Sequence, residues 1–239
     1  MVVMKKRESV HTDVIMDVSG IKNLGLDCVL RRGSAEILEN TGTALLLRDR
    51  VSGVYLLACE DAEAGLELLD RSVGMSCALL IVTNYALGMA AFERYGFLGK
   101  LACYQVAYFG EKPLPDPGLL IRTAEESDLP LLIENYHLIT PEELRMVVER
   151  RSILLGYRDG QPVGFIGEHL EGSMGILFVF PEYRRRGFGT ALQKALIART
   201  MEQGRIPFGQ VAEDNHASLC LQEKLGMTRS DERIVFMWR

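Results

Sequence analysis

The segment EYRRRGFGTALQKAL, residues 182–196, constrains the fold more than any other stretch of this chain. An apolar run typical of a strand precedes it, and the spacing of its later apolar residues indicates a helix. Glycines at 187 and 189 remove Cβ atoms where this helix begins, so the backbone can approach a ligand closely. The first amides of a helix lack internal partners and carry partial positive charge, which favours phosphate groups. The segment therefore predicts a strand–loop–helix unit that binds a pyrophosphate.

Other phosphate-binding motifs do not fit this loop. No G-K-[ST] follows the glycines, which excludes a P-loop. The glycine spacing and the antiparallel strands predicted before the loop exclude the dinucleotide-binding fingerprint. On these residues alone, a solvated basic turn explains the pattern equally well, so the rest of the chain has to decide.

The composition is globular and limits the partners. Of the 239 residues, 48% are hydrophobic and 25% charged, and the net charge is −5, so an anion site is local and nucleic acid is not an expected partner. Five cysteines without metal-type spacing predict buried thiols in a reduced cytosol, and no metal. The opening MVVMKKRESVHTD lacks the apolar run of a signal peptide, and no run suits a membrane span. We therefore expect a cytoplasmic protein without a membrane partner.

A segment rich in proline and glycine, GEKPLPDPG at residues 110–118, divides the chain. It predicts one domain over residues 1–112, a linker over 113–118 and a second domain over 119–239. Apolar periodicity and turn residues in the second domain predict the order β-α-α-β-β-β-α-β-α-β. Ser127 or Asp128 is expected to cap its first helix, and Thr140 its second.

Two segments resemble each other across this boundary. Residues 82–97, VTNYALGMAAFERYGF, and residues 211–227, VAEDNHASLCLQEKLGM, both run from a strand end through Asn into a helix. Each helix ends with an acid–base pair and then glycine. The likeness predicts two copies of one supersecondary unit.

The second half of the chain resembles the GNAT superfamily of acyl-CoA-dependent N-acyltransferases. IRTAEESDLPLL resembles the opening strand and helix of that superfamily, FVFPEYRRRGFGTAL its acyl-CoA loop, and VAEDNHASLCLQEKLGM its closing segment. The intervals between these segments also fit. PEYRRRGFG and VAEDNHASL look most like the branch that includes the glycine N-acyltransferases. The resemblance implies a mixed α/β GNAT fold in tandem arrangement.

The first half looks like a degenerate copy of that fold. Where the loop would stand it reads DAEAGLELLDRS, in which Asp61 and Glu63 would repel a diphosphate. We therefore expect it to complete an acceptor cleft between the halves or to shield a sheet edge.

The resemblance also implies positions for acetyl-CoA or another acyl-CoA. Arg184 stands at the Q/R position of the motif, the pantetheine arm would pair with the strand end Phe178–Val179–Phe180, and Asn215 would contact that arm. The pyrophosphate would lie on the backbone amides of Arg185, Arg186, Gly187, Phe188, Gly189 and Thr190.

The chemistry that the resemblance implies is direct attack of an amine on a thioester, which needs a base and donors for the oxyanion. The amide of Val179 or Phe180 would donate to the oxyanion. Gln222 replaces the tyrosine that commonly protonates the leaving thiolate, so the source of that proton stays open. The candidate bases are Glu168, Glu171, Glu182 and Glu213, with Glu213 and Glu168 preferred, and His169 and His216 are further proton carriers.

The sequence thus predicts an N-acyltransferase that moves an acyl group, first of all acetyl, to a small-molecule amine or amino acid. A non-catalytic acyl-CoA-binding protein on the same fold is the alternative, and a nucleotide-phosphate binder unrelated to acyl transfer is a third. The sequence leaves open whether the protein forms a homodimer.

Overall fold

A computed structural model describes residues 15–73 and 77–239, which form seven α-helices and eleven strands. The helices are α1 (Leu24–Arg31), α2 (Ala62–Ser72), α3 (Tyr85–Tyr95), α4 (Leu129–Asn135), α5 (Pro141–Glu149), α6 (Phe188–Glu202) and α7 (His216–Lys224). The strands are β1 (Ala35–Asn40), β2 (Ala44–Asp49), β3 (Tyr55–Cys59), β4 (Leu79–Val82), β5 (Gly99–Ala107), β6 (Leu120–Thr123), β7 (Ile153–Arg158), β8 (Gln161–Glu168), β9 (Met174–Val179), β10 (Phe208–Ala212) and β11 (Thr228–Trp238). The order predicted for the second half is confirmed. The predicted absence of a signal peptide concerns MVVMKKRESVHTD, which lies outside the described residues.

All eleven strands belong to one mixed sheet. Their order is β1-β2-β3-β4-β11-β5-β10-β9-β8-β7-β6. The last strand, β11, therefore lies between two strands of the first half, and β5 pairs with β10 of the second half. The chain between Ala107 and Leu120 forms neither helix nor strand, as the proline-rich segment predicts. The division into two domains stays a prediction, since the sheet runs on without a break past the predicted boundary.

The helices cover both faces of the sheet. Successive side chains of a strand point to opposite faces, and Ile234 packs with α1 whereas Val235 packs with α2 and α3. In the same way, Ile166 packs with α6 and Phe165 with α4 and α5. Cys103 joins the α1 cluster, whereas Val106, three residues along β5, joins the α6 cluster. Helices α2, α3, α6 and α7 thus share one face, here called the first face, and α1, α4 and α5 lie on the second face.

The sequence did not predict α1 and β1. Helix α1 has a glycine in its second position, and Gly25 is accommodated because its backbone packs close to Leu56. Strand β1 lies at the sheet edge and no residue of it is fully buried, so its alternation of apolar and polar residues is weak. Strand β11 is also longer than its apolar pattern indicates, because its polar first half pairs with β5.

The predicted caps are confirmed in part. The Thr140 hydroxyl accepts a hydrogen bond from the Glu143 amide at 3.1 Å and begins α5. The first helix of the second half starts earlier than predicted, with a 3₁₀ turn over Glu126–Asp128 that Glu125 caps. Asp128 does not cap α4 through its side chain, because its carboxylate accepts bonds from the Glu125 amide and from Arg122.

Of the five cysteines, Cys59, Cys77 and Cys103 are buried, Cys28 is half-buried and Cys220 is exposed, so the prediction of buried thiols is wrong for Cys220. Within residues 15–73 and 77–239, no helix has the length and apolar character needed to cross a membrane. In the same ranges, no group of three or more His, Cys, Asp or Glu side chains is arranged to hold a metal ion.

Candidate functional site

The parallel strands β9 and β10 diverge in the middle of the sheet. Among the described residues, they pair at a single position, Met174 with Gly209. A Cβ atom at Gly209 would lie 2.6 Å from the Met174 carbonyl oxygen, so only glycine allows this approach. Two residues later, β9 has a bulge against β8, where Ile176 has a positive φ of 44°. The bulge bends β9 away from β10 and leaves a V-shaped gap in the sheet.

A cleft of about 380 Å³ occupies this gap. Its floor contains Met174, Gly175, Ile176 and Leu177 of β9 and Gly209, Gln210 and Val211 of β10. Gln193 of α6 and Gln222 of α7 line it on the first face, whereas Tyr136 and Leu138, from the segment between α4 and α5, line it on the second face. The cleft therefore passes through the sheet, so two ligands can approach the same point from opposite faces.

The glycine-rich loop lies beyond the carboxyl end of β9. Gly187 is the N-cap of α6 with a φ of 86°, and Arg185 also has a positive φ of 62°. In the described chain no side chain caps this helix, so its first amides keep their donors free for a ligand. No atom lies within 4 Å of a Cβ built on Gly187, and one on Gly189 would meet Val179 at 3.7 Å. The loop thus has the open, amide-lined surface that a phosphate group needs.

The three arginines surround this loop and are exposed. Arg184 donates from Nε to the Val179 carbonyl at 3.0 Å, and its guanidinium lies 5.7 Å from the Phe178 ring centre. The guanidinium of Arg186 lies 5.5 Å from the ring centre of Tyr183 and 5.7 Å from that of Phe188. Aromatic rings orient these two guanidiniums without neutralising their charge, which leaves the loop positive.

The sheet with its central gap can be compared with known proteins. Residues 155–236 match the model of the FR47-like protein family. No curated protein sequence matches the chain. Among solved structures, a protein from Drosophila has a TM-score of 0.69 at 16% identity, covering 94% of this chain and 91% of that chain. A GCN5-related N-acetyltransferase from Kribbella flavida has a TM-score of 0.57 at 12% identity, covering 94% and 96%. An acetyltransferase of the GNAT family from Colwellia psychrerythraea has a TM-score of 0.53 at 13% identity, covering 82% and 81%.

The chain has the GNAT fold. The mixed α/β architecture predicted from the sequence is confirmed. Within this GNAT fold, the loop and the cleft are adjacent, because α6 starts where β9 leaves the gap.

The edge of β9 presents one of the two predicted oxyanion donors to the gap. Phe180 donates its amide to the Val163 carbonyl of β8 at 3.1 Å, so this amide is not available for an oxyanion, and that prediction is wrong. Backbone groups of consecutive residues in a strand point to opposite sides, so the Val179 amide points away from β8, toward the gap. Phe178 is fixed between Phe165 and Phe180, with ring centres 5.4 Å away on each side.

Two polar residues of α7 line the cleft. Asn215 caps the helix through a bond from the Ser218 amide to its Oδ1, at 3.1 Å. Gln222 is buried, and its amide forms a reciprocal pair with that of Gln193, with bonds of 2.5 and 3.2 Å. Gln193 carries no motif, although a buried glutamine beside Leu192 on an apolar helix side is a signal that sequence reasoning could have used.

The two preferred bases do not meet at the cleft. Glu168 is buried on the first face, where Arg205 donates to both carboxylate oxygens at 2.8 Å and Thr200 donates at 2.9 Å. Glu213 is bonded at 2.5 Å to Arg233 of β11. In the described chain neither lines the cleft. Glu171 accepts a bond from Ser173, and Glu182 is exposed beside the loop.

Tyr136 is the cleft residue that sequence reasoning missed, since it belongs to no motif and follows α4 directly. It is 8% exposed, and its hydroxyl lies close to the Ile176 amide at the bulge of β9. Burial raises the pKa of Tyr136 to about 12, with a smaller contribution from Glu143, so the phenol is neutral at pH 7.

Proposed function

We propose that this protein transfers an acyl group, first of all acetyl, from an acyl-CoA to a small primary amine. The divergence of β9 from β10 next to an uncapped helix carries the proposal. The first feature forms a cleft that is open on both faces, and the second offers free amides and arginines to a diphosphate. The family match over residues 155–236 and the GNAT fold support acyl transfer in general terms.

The residues present fit acyl-CoA. The amides at residues 185–190, with Arg184, Arg185 and Arg186, would hold the pyrophosphate. The Val179 amide on the gap side of β9 would donate to the pantetheine arm, while the Val179 carbonyl accepts from Arg184, and Asn215 would contact the arm from the start of α7. The acyl-CoA supplies an activated thioester, and the chain's own groups orient it at the point where the amine can reach it from the other face.

The acceptor is proposed to be a small amine or an amino acid. The likeness of PEYRRRGFG and VAEDNHASL to the glycine N-acyltransferase branch supports this choice. The negative net charge of −5 does not favour nucleic acid as acceptor.

A non-catalytic acyl-CoA-binding protein is the second candidate. It is favoured by the Gln193–Gln222 pair, because an amide cannot donate a proton as a tyrosine can, and by the ion pairs that occupy Glu168 and Glu213. Both candidates bind acyl-CoA, and turnover of acetyl-CoA with an amine separates them.

Titration of acetyl-CoA by calorimetry tests the binding site. Replacing both glycines of the loop, by Gly187→Glu and Gly189→Glu, places side chains and negative charge where the diphosphate would lie. Binding should weaken by at least about 100-fold, a cost near 2.7 kcal/mol. Gly204→Glu is the matched control, because Gly204 also has a positive φ and open surroundings, at the far end of α6.

Unchanged affinity in the loop variant would place the site elsewhere. Absence of binding in the wild-type protein would overturn the proposal. If acetyl-CoA binds but no amine from a panel of glycine, ethanolamine and benzylamine is acetylated, the binding protein becomes the better assignment.

A further inference from the structure

A cluster of titratable groups lies on the second face beside the point where β9 and β10 diverge. His169 is in the turn between β8 and β9, and its imidazole lies directly over Gly175. Any Cβ atom at residue 175 would collide with the Nε2 edge of this ring. Gly175 itself lines the cleft. The imidazole therefore packs on Gly175 from the second face and lies next to the cleft, although His169 is not itself one of the cleft-lining residues.

Glu143 holds the other side of the ring. Its carboxylate Oε1 lies 4.0 Å from His169 Nδ1. Glu143 is in the first turn of α5, where its amide is bonded to the Thr140 hydroxyl, so the cap fixes the backbone from which this side chain extends. With Nδ1 facing the carboxylate, the opposite nitrogen, Nε2, faces Gly175.

The other carboxylate that acts on the ring is Glu171, in the same turn as His169. Glu171 is held by the Ser173 hydroxyl, and Tyr136, at the end of α4, lines the cleft near Glu143. Burial alone would lower the pKa of His169, but Glu143 and Glu171 outweigh it and raise the pKa above its ordinary value. The imidazole is thus a stronger proton acceptor than a solvated histidine.

We propose that His169, oriented by Glu143, is the base that accepts the proton of the attacking amine. The inference rests on the proposed function and names the group that Glu168 and Glu213 do not supply. The amine nitrogen forms a bond to the acyl carbon, the carbon–sulfur bond breaks, and the proton of the nitrogen moves to Nε2. That proton then passes to the thiolate or to solvent, so the products are an amide and a free thiol.

The second-face position explains why this base suits an amine. The pyrophosphate loop lies at the carboxyl end of β9, whereas His169 lies at its other end. An amine that enters between Tyr136 and Leu138 reaches the narrow end of the gap without crossing the path of the pantetheine arm. Leu138 is 82% exposed at this mouth and offers an apolar contact to the acceptor.

The test compares His169→Gln and Glu143→Gln with His137→Gln, in which an exposed histidine between α4 and α5 is replaced. Acetyl transfer is measured with the best acceptor of the panel, and acetyl-CoA affinity by calorimetry. His169→Gln should lower kcat by at least about 100-fold and remove the rise of kcat/KM with pH, with acetyl-CoA affinity unchanged. Glu143→Gln should move that rise to lower pH, because it removes a carboxylate that raises the pKa of His169.

A measurement on the wild-type protein covers the case in which a variant does not fold. The midpoint of the His169 C2–H titration by NMR should agree with the apparent pKa of kcat/KM. Transfer by the wild type with an unaltered rate and pH profile in His169→Gln would overturn this inference alone. Binding of acetyl-CoA without transfer by the wild type would overturn the transferase proposal and this inference together.

Discussion

The segments β3–α2–β4–α3 and β9–α6–β10–α7 have the same order of elements, yet the two parallel strands stay paired in one and diverge in the other. Strands β3 and β4 pair at three positions, from Tyr55 with Leu80 to Leu57 with Val82, whereas β9 and β10 pair at one described position. At the position of the first pair, β4 has a leucine and β10 has Gly209.

The helices that follow the first strand of each unit, α2 and α6, also differ at their starts. Asp61 caps α2 by accepting a bond from the Ala64 amide at 2.8 Å, and Glu63 adds a second carboxylate to the first turn. Helix α6 has Gly187 as its N-cap, and three arginines precede that glycine. Helix α2 therefore has a side-chain cap and carboxylates that repel an anion, whereas the first amides of α6 have no side-chain cap among the described residues.

The two asparagines that begin α3 and α7 complete the comparison. Both cap their helix, but Asn84 also donates to the carbonyls of Cys59 and Glu60 at 3.3 and 3.2 Å, which ties α3 to the end of β3. Asn215 caps α7 and lines the cleft. The two units thus differ in how many of the polar groups at their helix starts the chain itself satisfies.

The substitution with the largest expected effect gives β10 the leucine that β4 has at the corresponding position. Gly209→Leu would place a Cβ atom against the Met174 carbonyl and a side chain in the cleft. We expect acetyl-CoA binding to weaken by at least about 100-fold, near 2.7 kcal/mol, measured by calorimetry. Leu80→Val is the control, with a stability loss under about 1.5 kcal/mol and unchanged affinity. A Gly209→Leu protein that binds normally would show that the gap is not the site.

The asparagine pair gives the second test. Removing a cap by Asn84→Ala or Asn215→Ala should cost about 1 kcal/mol of the free energy of unfolding in each case, measured in urea. Only Asn215→Ala should also weaken acetyl-CoA binding, by about tenfold, or 1.4 kcal/mol. Equal affinity in the two variants would mean that Asn215 is a cap and nothing more.

Sequence patterns predict this contrast well where it depends on local residues. The glycines and arginines of the loop, the cap at Thr140 and the element order of the second half all follow from neighbours in the chain. The insertion of β11 between β4 and β5 does not, because its pairing partners lie more than a hundred residues away in sequence. That insertion brings Arg233 to Glu213, so the predicted role of Glu213 depends on a contact that no local pattern contains.

The two halves can also be compared through the pH dependence of the free energy of unfolding, because each half contains a buried carboxylate, Asp49 in the first and Asp128 in the second. Burial alone would raise the pKa of Asp49, but bonds from Ser34, Ser52 and Arg32 outweigh it and the pKa is lowered. The bond from Arg122 lowers the pKa of Asp128, in spite of a smaller opposing effect of burial. A carboxylate with a lowered pKa in the folded state adds stability above its unfolded pKa, about 3.9, and loses it as the pH falls through the folded value.

We therefore expect the free energy of unfolding to be nearly level from pH 7 to pH 5 with respect to these two groups, and to fall below about pH 4. Asp49→Asn and Asp128→Asn should each reduce the slope of the free energy of unfolding against pH in this range. The reduction corresponds to at most one proton, or about 1.4 kcal/mol per pH unit. Urea unfolding of both variants between pH 2.5 and about pH 7 measures the slopes. Asp49 also holds Arg32, which donates to the Leu170 carbonyl at 2.7 Å in the turn that carries His169. If that contact orders the turn, Asp49→Asn should also broaden the His169 resonance, and Asp128→Asn should leave it sharp.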